Sequence, residues 1–320
     1  MPILAMNNVM KQDYSDWRLL PFVSIKSEMI RTIEQFDSSI KNGETGVAVK
    51  GKDELVFHKG DVAVAGTCFD IDGTDFALSL LKRFAGQKVS TGFIAAGSTD
   101  YETVGQKLVS FSAGVSSEKI KSAKMKSEDY KKIQTTAGEL YESPVMIKCS
   151  PNCSMERVEF FVEKMMEEQP LDVVIVDGFE YIKELAVIDE DDAENYHVYL
   201  EEVMESFSEL ANKNNIAVIL ITEASSECTG ERPGLKCFRK KMAIPNGADM
   251  VLLLYNDKVS YRLIKNDEEE ADEKWVAQRS SEGQWDSAVE DASLFIAKNK
   301  RGGLGVIPVK RNNLTGEYIF

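Results

Sequence analysis

The chain has 320 residues, 53 of them acidic and 38 basic, for a formal net charge of −15. With 43% hydrophobic and 28% charged residues it has the composition of a soluble globular protein and ample chain for a sizeable core. The acidity argues against a generic nucleic-acid coat, whose affinity comes from Lys and Arg neutralising phosphates, and no apolar run approaches the roughly 18–20 residues of a membrane span.

The first 20 residues are irregular, and "MPILAMNNVMKQDYSDW" lacks the basic flank and long apolar stretch of a leader. Apolar residues at 25, 29, 30, 33, 36 and 40 then give one narrow helical face, closed by "KNG" at 41–43. This face docks either on the chain's own core or on a neighbouring chain.

From residue 60 strands and helices alternate. The pattern predicts strands at 61–66, 92–96, 144–148, 172–177, 216–222, 250–255, 259–264, 293–298 and 305–310. Helices are predicted at 74–86, 100–112, 127–141, 154–167 and 194–214. "DVVIVD" and "IAVILIT" are nearly continuous apolar runs, as expected of parallel strands covered on both faces. Such alternation points to an open α/β sheet, with a hairpin expected around Asn256 and Asp257. Acid concentrates in "VIDEDDAEN" (187–195) and "NDEEEADE" (266–273), read as solvated loops; basic clusters stand at 236–241 and 298–305.

Five cysteines are present, and Cys149 and Cys153 are close, but neither His58 nor His197 has zinc-ligand spacing to them. Free thiols and a cytoplasmic location are expected.

In open α/β sheets ligands bind at the carboxyl ends of strands. "AGTCFDIDGTDFALSLL" (65–81) follows one strand and opens a helix, where a phosphate-binding loop belongs. Asp177 ends a second strand, "LDVVIVD", where an aspartate can hold magnesium. Asp70, Asp72 and Asp177 together also permit a cation site.

Read together, residues 22–320 resemble the C-terminal RecA-like motor domain of DnaB-type replicative helicases. The resemblance rests on "PFVSIKSEMIRTIEQFDSSIKNGETGV", "GDVAVAGTCFDIDGTDFALSLL", "LDVVIVDGFEYI", "IAVILITEASS", "RPGLKCFRKKMAIPNGADMVLLLYND" and "LFIAKNKRGGLG", in that order. It implies a RecA-like P-loop NTPase fold: α/β, with a mostly parallel central sheet flanked by helices. Residues 1–45 would be an N-terminal segment and linker helix, and 46–320 the RecA-fold domain.

The departures from the family fall in the chemistry. A working phosphate loop uses backbone N–H groups, a lysine and a Ser/Thr. Of the loop from Thr67 to Thr74, Thr74 alone keeps its type; the lysine position is Gly73 and the glycine before it is Asp72. The resemblance places Ser98 where the family has its general base, a glutamate, and Glu223 where it has a phosphate-sensing glutamine. Two unit charges about 5 Å apart at an effective dielectric of about 20 interact by about 3 kcal/mol, so exchanging an attraction for repulsions opposes triphosphate binding. Thr74 and Asp177 are the remnant of a nucleotide and magnesium site.

Lys298 and Lys300 match the basic pair that the family projects into a neighbouring nucleotide site, or are plain hairpin charges. Arg239, Lys240 and Lys241 lie in the loop aimed at single-stranded DNA, or in a plain solvated loop. A pseudo-ATPase acting through assembly or DNA contact is therefore expected. The alternatives are an active helicase subunit using ATP and Mg2+ with another lysine in the pocket (Lys50, Lys52 and Lys59 being nearby) and a non-enzymatic partner of an authentic helicase. Nothing before residue 22 resembles the family's helical N-terminal domain, which favours the accessory role. Self-association, or association with an active DnaB-type helicase, is expected and a membrane partner is not.

Overall fold

The computed structural model describes residues 46–49, 55–68, 71–122, 124–186, 193–224, 233–238, 241–256, 259–264, 274–279 and 289–320. The amphipathic stretch at 25–40 lies outside them, as do Asp70, Arg239 and Lys240.

A hairpin of β1 (Gly46–Val49) and β2 (Leu55–His58) leads into β3 (Val62–Thr67). The chain then alternates through α1 (Gly73–Gly86), β4 (Thr91–Ala95), α2 (Tyr101–Ala113), α3 (Ser117–Lys121), α4 (Ser127–Tyr141), β5 (Val145–Cys149), α5 (Met155–Glu168) and β6 (Val173–Asp177). Next come α6 (Lys183–Ala186), α7 (Ala193–Asn214), β7 (Ala217–Glu223), α8 (Ala243–Gly247) and β8 (Met250–Tyr255). Five strands end the chain: β9 (Val259–Ile264), β10 (Lys274–Arg279), β11 (Val289–Asn299), β12 (Gly305–Asn312) and β13 (Tyr318–Ile319).

Among the described residues nine strands form the main sheet, in the order β13-β12-β11-β8-β3-β7-β6-β4-β5. The run from β8 to β5 is parallel, and β11, β12 and β13 add an antiparallel flank. This is the expected α/β fold with a mostly parallel sheet. The period-2 geometry of a strand sends alternate residues to opposite faces. Val62, Val64, Val174, Val176, Val218 and Leu220 join a core with Val158, Val162 and Phe207 from α5 and α7. Their strand neighbours Ala63, Ala65, Val173, Ile175, Ala217 and Ile219 face Phe76, Leu80, Leu81 and Phe84 from α1. Each large apolar side chain buried this way contributes about 1.5–3 kcal/mol.

The hairpin expected around Asn256 does not form. The two edges of β8 are taken by β3 and β11, and β9 pairs instead with β10 in a separate two-stranded sheet. The acidic stretch 187–195 is not all loop either, since α7 begins at Ala193. The free-thiol expectation holds for Cys68, Cys149 and Cys153 but not for Cys237, which is disulfide-bonded. Disulfide bonding requires a partner cysteine within about 7 Å between Cα atoms, a proximity that sequence spacing alone does not reveal.

Candidate functional site

Strands β3, β7, β6 and β4 lie side by side, and their carboxyl ends open into a cleft of about 190 Å³. Thr67 ends β3, Asp177 ends β6, and Thr222 and Glu223 end β7. Gly97, Ser98 and Thr99 follow β4, and Gly73 and Thr74 begin α1 on the same wall. Gly178 has φ +81°, and a Cβ there would meet the Gly97 backbone nitrogen at 3.0 Å. Glycine is thus required where the loops after β6 and β4 touch.

The start of α1 carries the most informative geometry. The Asp72 carboxylate accepts a hydrogen bond from the Thr74 backbone N–H at 2.9 Å, capping the helix. A helix N-terminus offers N–H groups and a positive dipole end to an anion, and here a side chain of the chain itself takes part of that offer. Gly73 leaves no cation at the next position. A Cβ built on it lies 3.1 Å from the Ile221 side chain, a tight contact that a side chain there would relieve only by shifting Ile221 a few tenths of an ångström.

The Thr74 hydroxyl donates to Asp177 Oδ2 at 2.8 Å. Asp177 is buried, and burial pushes its carboxyl from 3.8 up to about 7; the Thr74 hydrogen bond works the other way, and the negative neighbours Asp72 and Glu180 add to the rise. Burial also raises Glu180, with Glu223 adding repulsion. The Thr222 hydroxyl stands near Glu180 and opposes that rise, but falls short of full hydrogen-bond geometry.

A residue that sequence reasoning missed enters from α2. Lys107 Nζ bridges Asp72 Oδ2 at 2.8 Å and Asp75 Oδ1 at 2.7 Å. Asp75 is buried, and Arg311 stands 3.9 Å from its second oxygen. Burial acts first to lower Lys107, but its two carboxylate partners win and hold it above the ordinary lysine range. The extra aspartates of the loop are therefore partly neutralised from within.

Lys59 is no substitute for the missing lysine. It pairs with Asp172 at 2.6 Å, just before β6 begins and so at the opposite end of the sheet from the cleft. Lys50 and Lys52 lie outside the described residues.

Ser98 lines the cleft as an exposed side chain, and Glu223 lies at its rim. Lys298 donates to the carbonyls of Pro245 and Asn246 at 2.7 and 3.2 Å, and burial lowers it from the usual lysine value. Lys300 pairs with Asp249 at 2.8 Å. In this chain both lysines are thus engaged internally. Lys241 Nζ lies 5.9 Å over the Tyr196 ring. Among the described residues no group of three or more His, Cys, Asp or Glu is placed to hold a metal ion, and no helix is long and apolar enough to cross a membrane. Thr67 Oγ1, Thr222 Oγ1 and Glu180 Oε2 are buried without a hydrogen-bond partner.

The family model for the DnaB-like helicase C terminal domain matches residues 52–318. The chain belongs to that family. It is 23% identical over 235 residues to the replicative DNA helicase DnaB of Treponema pallidum (strain Nichols), covering 72% of this chain and 52% of the relative. It is 22% identical over 322 residues to the replicative DNA helicase DnaB of Rickettsia bellii (strain RML369-C), covering 93% and 62%. This DnaB-family chain thus spans about half to three-fifths of the length of these relatives. Among solved structures, one ATPase domain superposes with a TM-score of 0.69 at 17% identity, covering 93% of this chain and 99% of that one. A DnaB-like replicative helicase, solved in a study of its interactions with primase, gives 0.70 at 17% identity over 100% and 72%. Identities this low establish the DnaB-like fold.

Proposed function

We propose that this DnaB-family domain is a pseudo-ATPase that acts through assembly or contact with single-stranded DNA. The observation that carries this reading is the start of α1: Gly73 supplies no cation, and the Asp72 carboxylate already accepts from the Thr74 N–H. A triphosphate needs both of those places. Asp177, Glu180 and Glu223 line the same cleft, so the donor set does not fit a polyanion. Ser98 in place of a carboxylate removes a general base typically worth about 10²–10⁴ in rate.

On this account residues 1–45 form a separate docking segment that carries the chain onto a second copy or an active DnaB-type helicase. Arg239, Lys240 and Lys241 supply weak, salt-dependent contacts to single strands. A non-enzymatic partner that regulates an authentic helicase would use the same surfaces.

One observation favours a second reading. Lys107 reaches the first turn of α1, so an active subunit would use it as the missing cation, with Thr74 and Asp177 on Mg2+ and ATP as cofactor. Its two aspartate partners would first have to release it.

Steady-state ATP hydrolysis in the presence of single-stranded DNA separates the two. Background rates are expected. Turnover on the order of 1 s⁻¹, within the ordinary enzyme range, that is lost in both Asp177→Ala and Lys107→Ala would overturn the pseudo-ATPase reading.

A further inference from the structure

The cleft has an electrostatic character of its own. Its described lining includes four carboxylates, Asp72, Asp177, Glu180 and Glu223, and no Lys, Arg or His. Of the cations beside it among the described residues, Lys107 is committed to Asp72 and Asp75, and Lys241 acts on Glu180 only weakly, as the least of the influences on that carboxyl. Two of the lining hydroxyls, Thr67 and Thr222, are 1% and 2% exposed and have no hydrogen-bond partner, and Glu180 Oε2 has none either. Buried polar atoms are nearly always paired; the Thr222 hydroxyl stands beside the Glu180 carboxylate as its near-partner, which leaves the buried Thr67 hydroxyl lining the opening with no partner among the described residues. Thr67 faces Glu223 across the β3–β7 ladder, so that hydroxyl and the rim carboxylate lie on one face of the strand ends, while Thr222, one residue earlier on β7, points to the other face of the same opening.

We propose that this cleft, which on the reading above does not hold nucleotide, binds an organic cation: the guanidinium or alkylammonium head of a basic side chain or polyamine. The acceptors choose the class. No three carboxylates converge closely enough to share a metal ion among the described residues. A guanidinium carries five N–H donors spread in one plane, and an ammonium carries three, so either reaches acceptors that stand apart. Size agrees as well. The cleft holds about 190 Å³, below the roughly 300–1,000 Å³ of pockets for larger ligands but room for one planar head and a few waters. The buried Asp177, whose carboxyl burial raises to about 7, is about half protonated near neutrality and adds a carboxylate that an arriving cation would favour in its ionised form.

Because this inference rests on the pseudo-ATPase reading, its test includes nucleotide. The full chain, labelled at Thr and Ile methyl groups, is titrated by NMR with ethylguanidinium chloride against matched NaCl. The methyls of Thr67, Thr222 and Ile221 are expected to shift and saturate in the millimolar range. Glu223→Gln and Glu180→Gln should each weaken binding at least threefold while the remaining methyl spectrum stays unchanged, which establishes that the variants fold. Parallel titrations with spermidine and with a short arginine-bearing peptide separate the sources: saturable binding of either supports the site, and the tighter one names the carrier. Shifts no larger than those with NaCl, or the same shifts with MgCl2 alone, overturn the proposal. If neither cation nor Mg·ATP moves these methyls, the organic-cation site falls and the pseudo-ATPase reading stands. Micromolar saturation by Mg·ATP would instead defeat the pseudo-ATPase reading itself.

Discussion

Replacing Asp177 with asparagine isolates the cost of a charge at the floor of the cleft. Asparagine keeps an acceptor for the Thr74 hydroxyl, which donates to Asp177 at 2.8 Å, and removes the carboxylate. Burial lifts that carboxyl from 3.8 to about 7. Between those values the folded chain holds a proton that the unfolded chain has released. Stability due to this group therefore falls as pH rises from about 4 to about 7 and levels off above. A separation of about three pH units at about 1.36 kcal/mol each gives about 4 kcal/mol, of which about 2 kcal/mol accrues between pH 5.5 and 8. Groups shared by the two proteins cancel, save those that feel Asp177 directly, namely Asp72, Glu180 and Lys107, with Cys149 and Tyr181 as well. Urea unfolding at pH 5.5 and pH 8 is the assay. The advantage of Asp177→Asn over the parent should grow by about 2 kcal/mol across that interval. A difference that is the same at both pH values, within about 0.5 kcal/mol, would mean that Asp177 ionises as if in water and would refute the argument.

Lys107→Met should cost about 2–4 kcal/mol in urea unfolding, because the buried Asp75 would keep only the longer Arg311 contact at 3.9 Å, and Asp75→Asn in the same background should restore most of it. Alanine at Arg239, Lys240 and Lys241 together should weaken single-stranded DNA binding for all sequences and flatten its salt dependence in fluorescence anisotropy; tight binding indifferent to these changes would remove the loop from the account. A chain starting at Thr45 should lose any self-association that light scattering detects in the full chain, since Ile25, Met29, Ile30, Ile33, Phe36 and Ile40 would be gone.

The fold was largely legible because buried parallel strands write themselves as short apolar runs. Predicted 172–177 became Val173–Asp177, and predicted 216–222 became Ala217–Glu223. Pairing was less legible than strand content. A turn-like Asn256-Asp257 between two apolar runs suggested a hairpin, yet the edges of β8 were claimed by distant strands. The site divided in the same way. Asp177 could be found because it closes a recognisable apolar strand, and Thr74 and Glu223 because the resemblance to the family places them beside two such strands. Lys107 could not, because it reaches Asp72 from 35 residues away and nothing in "GQKLV" marks which way it points. Thr67 and Thr222 look like ordinary strand residues in sequence; their unpaired hydroxyls exist only once β3 and β7 lie together.

The central claim is that the start of α1 has exchanged phosphate binding for internal capping. Isothermal calorimetry with Mg2+ and a non-hydrolysable ATP analogue tests it most directly, on the unmodified chain and on Gly73→Lys with and without Asp72→Gly. The account predicts no saturable heat for the parent, little change for Gly73→Lys alone with Asp72 still on the Thr74 N–H, and measurable binding once both positions are altered. Low-micromolar binding by the unmodified chain would contradict it.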